Sequence, residues 1–381
     1  MHTKLPIPLF LLAAVLLWAG VSCTTRQETP VEAIVTQETD YETFHIHKGT
    51  NISHWLSQSS RRGTERKEFF DEEDVKYLAG LGFDHLRIPV DEEQMFDEAG
   101  NKNEEAFTLL HNALGWCRNY GLRAIVDLHI LRSHHFNEEE KPLWTDPAAQ
   151  EKFIQLWQVF SDELSRYPNG MLAYELMNEP VADEADDWNQ LVAKAVAAIR
   201  EKEPERILVI GSNRWQSADT FDELVIPEND KNILLSFHFY EPFLLSHYQA
   251  SWTNIAEYDG PVHYPGMLVK SEEYDTLAED MQEIVDKRMK YYNPDTLEKM
   301  MQKPIAMAKQ TGLPLYCGEW GVIESAPRED RLRWYADMVV IFERNGIAYA
   351  NWDYKSDNFG LVGNDGLVND ELVEVVAAAG E

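Results

Sequence analysis

HLRIPVDEEQMFDEAGNKNEEAFTLLHNALGWCRNYGLRAIVDLHI (85–130) is the stretch on which the fold turns. It opens on a short apolar and β-branched run, HLRIPV (85–90). It then passes through an amphipathic segment of helix length, FTLLHNALGWCRNYG (107–121), and closes on a second run, RAIVDLHI (123–130). Strand, crossover helix and strand in that order make a parallel pair. The alternation continues outward in both directions. Downstream come LAYELMNEP (172–180), ILVIGSN (207–213), ILLSFHFY (233–240), LPLYCGEWG (313–321) and AYANWDY (348–354), and upstream IHKGTNI (46–52) makes the eighth run. Segments such as QEKFIQLWQVFSDELSRY and DWNQLVAKAVAAIREKEP supply helices between them. Eight such units predict a closed (β/α)8 TIM barrel of class α/β. A doubly wound open sheet is the alternative, and no glycine-rich turn follows the first strand to support it.

By length alone, residues 44–381 suggest two domains, but α/β barrels are an exception to that prior. No internal repeat or second boundary is visible, and the barrel is expected to use the chain to its end without an appended binding module. One long interruption, 241–294, follows the sixth strand and carries Tyr248, Trp252, Tyr258, His263 and Tyr264. Long loops in compact domains are usually functional. This one is expected to wall a cleft at the strand C-terminal ends; the alternative is a cover over one side of the barrel.

The N-terminus reads as an export signal. Lys4 precedes an apolar run from Leu9 to Gly20, and Gly20-Val21-Ser22 places small residues before Cys23. A membrane span needs about 20 apolar residues, so residues 1–22 are expected to be a signal peptide. Its end resembles a bacterial lipoprotein signal, with Gly20 where leucine is usual; that resemblance implies lipidation at Cys23. The chain is then expected to be exported and lipid-anchored to a membrane of the bacterial cell envelope, with 23–43 as a polar tether. Cys117 and Cys317 are the only other cysteines. A disulfide between them is allowed, but a helix position and a strand position favour two buried free thiols.

A formal charge of −32, from 34 Lys+Arg against 66 Asp+Glu, repels phosphate backbones and argues against a nucleic-acid partner. A neutral polymer meets no such penalty. The 11 tryptophans suit sugar-stacking surfaces and aromatic cores equally. A monomer is expected.

In a barrel of this type, polar residues at strand C-terminal ends read as chemistry. Here they are Arg87, His129, Asn178 with Glu179, His238 with Tyr240, Glu319 and Trp352. A single carboxylate at a strand end is more often a salt-bridge or capping partner. Strand ends converging on one face and supplying two carboxylates reverse that reading. Glycoside cleavage needs one carboxylic acid to protonate the leaving oxygen and one carboxylate facing the anomeric carbon, with no cofactor. Strands four and seven lie across the barrel mouth, so Glu179 and Glu319 can flank one bond, provided their pKa values are pushed apart. Arg87 and Tyr240 suit keeping Glu319 ionised, His238 suits contact with Glu179, and Asn178 can donate to a sugar hydroxyl.

These motifs together resemble glycoside hydrolase family 5, a cellulase-like family of retaining barrel enzymes. The segments that carry the resemblance are KGTNISHWL (48–56), LRIPV, VDLH, LMNEP, SFHFY, CGEWG and NWDYK, in the family's order across most of the chain. The resemblance implies Glu179 as acid/base and Glu319 as nucleophile. It implies Arg87, His129, Asn178, His238 and Tyr240 as surrounding site residues, and Trp352 as the platform of the −1 subsite. Asp353 stands where many relatives have Ser or Thr, leaving open whether the preceding peptide bond is cis. The implied substrate is a β-linked polysaccharide, with an endo-β-1,4-glucanase expected first; mannanase, xyloglucanase and β-1,3-glucanase are alternatives. Trp144, Trp215, Trp252 and Trp320 are candidate stacking residues, each weighed against core packing, with Trp320 favoured because it adjoins Glu319.

Two readings of other classes compete. In a metal-dependent barrel hydrolase, His45, His47, His129, His134 and His135 would be ligand candidates. However, His45 and His47 precede the first strand's end and belong to the opposite face, and no Lys, Asp and His set completes a binuclear site. The second is a non-catalytic glycan-binding lipoprotein. Its simplest signature would be a missing carboxylate, and both are present.

Overall fold

The computed structural model describes residues 41–377, so the signal peptide, Cys23 and the tether up to residue 40 lie outside the described residues. Eight parallel strands close a barrel: β1 (Lys48–Asn51), β2 (His85–Val90), β3 (Arg123–Leu128), β4 (Leu172–Glu175), β5 (Ile207–Gly211), β6 (Ile233–Phe239), β7 (Leu315–Trp320) and β8 (Ala348–Asn351). β8 pairs with β1 to complete the ring, with Lys48 opposite Tyr349. Several strands end sooner than their apolar runs, because the polar residues that follow leave the ladder to form the mouth.

Alternation along each strand sorts the interior into layers. At the N-terminal end Ile125, Ala173, Val209, Leu234, Tyr316 and Ala350 meet in an apolar floor, closed from below by Ile46 and Phe44. Two residues further along the same faces come Asp127, Glu175 and Ser236, with Arg87 and Asn51 beside them, all fully buried. Another step gives His129 and His238 at the mouth. The apolar floor stabilises the barrel and the polar layers above it carry the site.

On β7 this parity is interrupted. Phe237 pairs with Cys317 and His238 pairs with Glu319, so Gly318 is an extra residue, a β-bulge. Without it Glu319 would face outward; with it Glu319 turns into the barrel and Trp320 turns out. A Cβ on Gly318 would lie 3.0 Å from Ser236 Oγ and 3.3 Å from His238 Nε2.

The outer ring includes the helices Glu104–Asn119, Pro147–Leu164, Ala185–Arg200 and Arg328–Asn345, each with an apolar stripe on the barrel. Asn103 and Asp146 cap the first two. Cys117 and Cys317 are buried free thiols. Tyr41 already packs on the barrel, its hydroxyl donating to Leu122 O at 3.2 Å. Among the described residues no helix is long and apolar enough to cross a membrane.

The 241–294 interruption is an ordered insertion holding the helix Glu279–Asp286 and a two-stranded pair, Gly266–Met267 with Tyr291–Tyr292. Its aromatic residues divide. Tyr258 and Tyr264 are buried, donating to Pro261 O at 2.6 Å and Asp337 Oδ2 at 2.8 Å, and Tyr248 donates to Gly260 O at 3.0 Å. His263 pairs with Glu273 at 2.8 Å. Trp252 instead faces the groove at the barrel mouth.

Candidate active site

Arg87 organises the centre of the barrel. Its guanidinium, wholly buried, donates through Nη1 to Glu319 Oε1 at 2.7 Å and Asn51 Oδ1 at 2.9 Å. Nε reaches Glu175 Oε2 at 2.7 Å, and Nη2 reaches Asn178 Oδ1 at 2.9 Å and Asp127 Oδ2 at 3.0 Å. The planar fork thus fixes three carboxylates and two amides at once. Because Asn178 spends its oxygen on Arg87, its Nδ2 is left buried without a partner, free to donate to a hydroxyl.

The two glutamates face each other above this layer. One carboxylate oxygen of each, with a ring nitrogen of His238, lies within 4.8 Å of the others. Glu319 has a second donor, Tyr240 Oη at 3.0 Å. Glu179 lies 2.9 Å from His238 Nδ1 and receives no hydrogen bond from a cation. His129 lies 2.7 Å from Asp127 through Nδ1 and 2.8 Å from Gln58 Nε2 through Nε2. Its ring stacks on Trp352 at 5.6 Å and 8°. The Trp352–Asp353 bond is cis. Asp353 is buried beneath it, bonded to the hydroxyls of Ser53 and Ser356 and 3.7 Å from His54 Nε2.

Comparison with known proteins settles the family. The model described as Cellulase (glycosyl hydrolase family 5) matches residues 42–358. Endoglucanase C of Acetivibrio thermocellus is 32% identical over 337 residues, covering 86% of this chain and 97% of that relative. This chain belongs to glycosyl hydrolase family 5. Cellodextrinase A of Ruminococcus flavefaciens is 31% identical, over 80% of this chain and 84% of its own length. Among solved structures, the Thermotoga maritima endoglucanase Cel5A superposes with a TM-score of 0.69 at 22% identity, covering 87% of this chain and 96% of that one. At that identity the likeness speaks for the barrel alone. As a family 5 member the chain is an O-glycosyl hydrolase.

Every residue expected around the reacting bond in this family 5 enzyme is at the mouth or, for Arg87, directly beneath it: His129, Asn178, Glu179, His238, Tyr240, Glu319 and Trp352 converge above the Arg87 guanidinium. The stacking candidates fare unevenly. Trp215 and Trp252, 44% and 50% exposed, line the groove. Trp320 does not: it is fully buried, pointing outward into Trp334, Tyr335, Phe342 and Tyr349. Adjacency to Glu319 puts it on the opposite face of β7, so the expectation that it stacks on substrate is corrected. Trp144 is likewise a packing residue, half-buried edge-on against His134 and Trp188.

The environments of the family 5 glutamates push their pKa values in one direction by different amounts. Burial raises Glu179 well above the carboxylate range, and the neighbouring Glu319 charge raises it further. Burial also raises Glu319, but Arg87, His129 and the Tyr240 hydroxyl pull it back. Burial brings Asp127 to about 7 against the pull of Arg87, and holds His129 down to about 4. His238 is held well below its ordinary value, first by burial and then by Arg87 and His129.

Besides Asn51 and Gln58, which bond to Arg87 and His129, sequence reasoning missed Asp127, Glu175 and Gln216. Asp127 and Glu175 share inward parity with His129 and Ala173, and that parity was signal enough. Gln216 gave none. It lies beyond β5 in a run, Arg214-Trp215-Gln216, whose φ values are 58°, 62° and 51°. Its Oε1 accepts the Glu179 N–H at 2.9 Å, and its Nε2 lies 3.2 Å from both Glu175 Oε1 and Ser236 Oγ. Glu179 itself has φ 46°, so Gln216 secures a backbone position that a side-chain-bearing residue seldom adopts.

The metal reading finds no support in its own histidines. His45 and His47 precede β1 at the floor end, and His134 Nε2 accepts the Val181 N–H at 3.1 Å. The one set of described residues whose ligand atoms converge is Glu179, His238 and Glu319. There Arg87, 2.7 Å from Glu319, already supplies the positive charge, and a second cation beside it would be repelled.

Proposed function

We propose that the enzyme is a retaining endo-β-1,4-glucanase working by double displacement. Glu319, the more readily ionised carboxylate, attacks the anomeric carbon while Glu179 passes its proton to the departing oxygen. Water then cleaves the glycosyl-enzyme as Glu179 takes a proton back. The observation that carries this reading is the approach of the two carboxylates to within 4.8 Å with unequal sets of donors. Retaining glycosidases hold their carboxyl groups about 5–5.5 Å apart, and inverting ones leave about 6.5–9.5 Å for a water. Asn178 Nδ2 donates to the sugar 2-hydroxyl, Trp352 underlies the −1 sugar, and Trp215 and Trp252 stack on sugars beyond the cleavage point. The β-1,4-glucan specificity is supported by relatives named endoglucanase and cellodextrinase. A Thermotoga maritima relative of the same fold, solved with mannotriose, makes mannan the second substrate to try.

The test is stereochemical. Proton NMR of the first product from cellohexaose should show the β-anomer, and Glu319→Gly with azide should give the α-glycosyl azide. An initial α-product, or full activity in Glu319→Gln, sinks the mechanism. Activity that survives a chelator removes the metal alternative. The same reading includes lipidation at Cys23 after export, which metabolic labelling with a fatty-acid probe and its loss in Cys23→Ala would test. Tethering there would hold a monomeric enzyme at the bacterial envelope, acting on polysaccharide outside the cytoplasm.

A further inference from the structure

The groove beyond Glu179 is a cavity of about 800 Å³ that runs between the end of β5 and the 241–294 insertion. Basic residues are scarce in this chain, 34 against 66 acidic, yet four line this one cavity: Arg214 on the barrel side, and Lys287, Arg288 and Lys290 on the insertion. No carboxylate among the described residues lies within the 4.0 Å ion-pair distance of any of them. Neutral oxygens tether the two arginines. Arg214 Nη2 donates to Asp183 O at 2.8 Å, and Arg288 donates to Ile284 O and Asn254 Oδ1, both at 3.0 Å. Their positions are therefore held without a direct ion pair. Of the other carboxylates on the cavity wall, Glu241 accepts from the Tyr292 hydroxyl at 3.2 Å, and Asp219 is exposed.

A neutral glucan gains no charge attraction from four cations that lack a direct ion pair, whereas a protein of net charge −32 on balance repels polyanions. We propose that the leaving-group side of the groove recognises β-glycans bearing carboxylates, such as uronic-acid or carboxymethyl groups. Lys287, Arg288 and Lys290 on one wall and Arg214 on the other receive the anion. The placement rests on the reading above, in which Glu179 protonates the leaving group, so that sugars beyond Glu179 are those released first.

The experiment compares kcat/KM on carboxymethylcellulose and on hydroxyethylcellulose of matched length and substitution, at constant ionic strength. The proteins are wild type, Lys287→Gln/Lys290→Gln and Lys287→Glu/Lys290→Glu. Both lysines are exposed, so folding is not at stake. Exposed charge pairs imply a loss of about threefold for the glutamine pair and about tenfold for the glutamate pair on the anionic polymer. Hydroxyethylcellulose values should stay within about twofold of wild type. An unchanged ratio between the two polymers in the glutamate pair overturns the proposal, as does an equal fall on both. A wild-type enzyme that cleaves neither polymer fails earlier, at the glucanase reading, and takes this proposal with it.

Discussion

The two sides of the barrel mouth hold the same functional group by different means. On the β7 side, Glu319 sits within the strand, turned inward by one bulge, and Arg87 and Tyr240 both donate to it. On the β4 side, Glu179 sits past the strand end at φ 46°, its backbone held by Gln216 and its carboxyl beside His238. Burial alone would raise both pKa values. The cation and the phenol beside one of them separate the pair, which supports the proposed roles of Glu319 as the carboxylate and Glu179 as the acid. The division of labour therefore comes from the donors around each carboxyl and not from the carboxyls themselves.

Removing each carboxylate in turn breaks this comparison most sharply. Glu319→Gln should lose activity on the order of 10⁴-fold or more on every substrate, because no covalent intermediate forms. Glu179→Gln should lose about 10²–10⁴-fold on cellooligosaccharides. With dinitrophenyl cellobioside, whose leaving group needs no proton, Glu179→Gln should retain its first step and show a burst of dinitrophenol. The absence of that burst, with Glu319→Gln behaving the same, would mean that the two sides are not functionally distinct.

Gln216 is what the strained side depends on. Gln216→Leu keeps the bulk but leaves the Glu179 N–H without its acceptor and removes a donor from Glu175. The expected result is a fall in kcat of about 10- to 100-fold, consistent with 1–3 kcal/mol for an unsatisfied buried group, with KM nearly unchanged. A fall confined to KM would place Gln216 in substrate binding instead.

The layer beneath the mouth sharpens the same contrast through pH. Asp127 is raised to about 7 by burial, so the folded protein holds a proton there that the unfolded chain releases near its ordinary value, about 3.9. The stabilisation is complete at low pH and is lost as pH rises through 7. His129, kept neutral down to about 4, gives the opposite slope between about 4 and its ordinary value, about 6.5. The informative quantity is therefore the difference between wild type and Asp127→Asn in denaturant unfolding from pH 4 to 8. That difference should move in the variant's favour as pH rises, by at most about 1.4 kcal/mol per pH unit. A flat difference would show Asp127 ionised throughout.

Much of this site was legible because strand parity and strand ends are written in single residues. The runs 123–130 and 233–240 place Asp127 and His129, and His238 and Tyr240, on inward faces by counting twos. What stayed hidden depended on departures from that count. The bulge at Gly318 shifts Glu319 and Trp320 by one place, and nothing in LPLYCGEWG distinguishes a bulge from a regular strand. Gln216 acts across 37 residues of sequence from a left-handed turn that no periodicity announces. The four cations of the groove come from two loops and become a set only when the insertion folds against the end of β5.

The smallest expected effects separate the tryptophans. Trp215 is 44% exposed and Trp252 50% exposed, and the Trp215 indole is anchored by its Nε1–H to Phe136 O at 3.3 Å. An anchored ring loses little entropy when a sugar settles on it, so the proposed stacking there would contribute about 0.5–1.5 kcal/mol. Trp215→Ala should therefore raise KM for cellohexaose about two- to tenfold, leaving kcat and the melting temperature near wild type. Trp252, with no such bond and set on the insertion, should show the lesser change of the two. Because both rings lie beyond Glu179, each effect should shrink on substrates that end shortly past the cleaved bond. A Trp215→Ala penalty that persists on dinitrophenyl cellobioside would move that ring to the other side of the cleavage point and reverse the direction assigned to the groove.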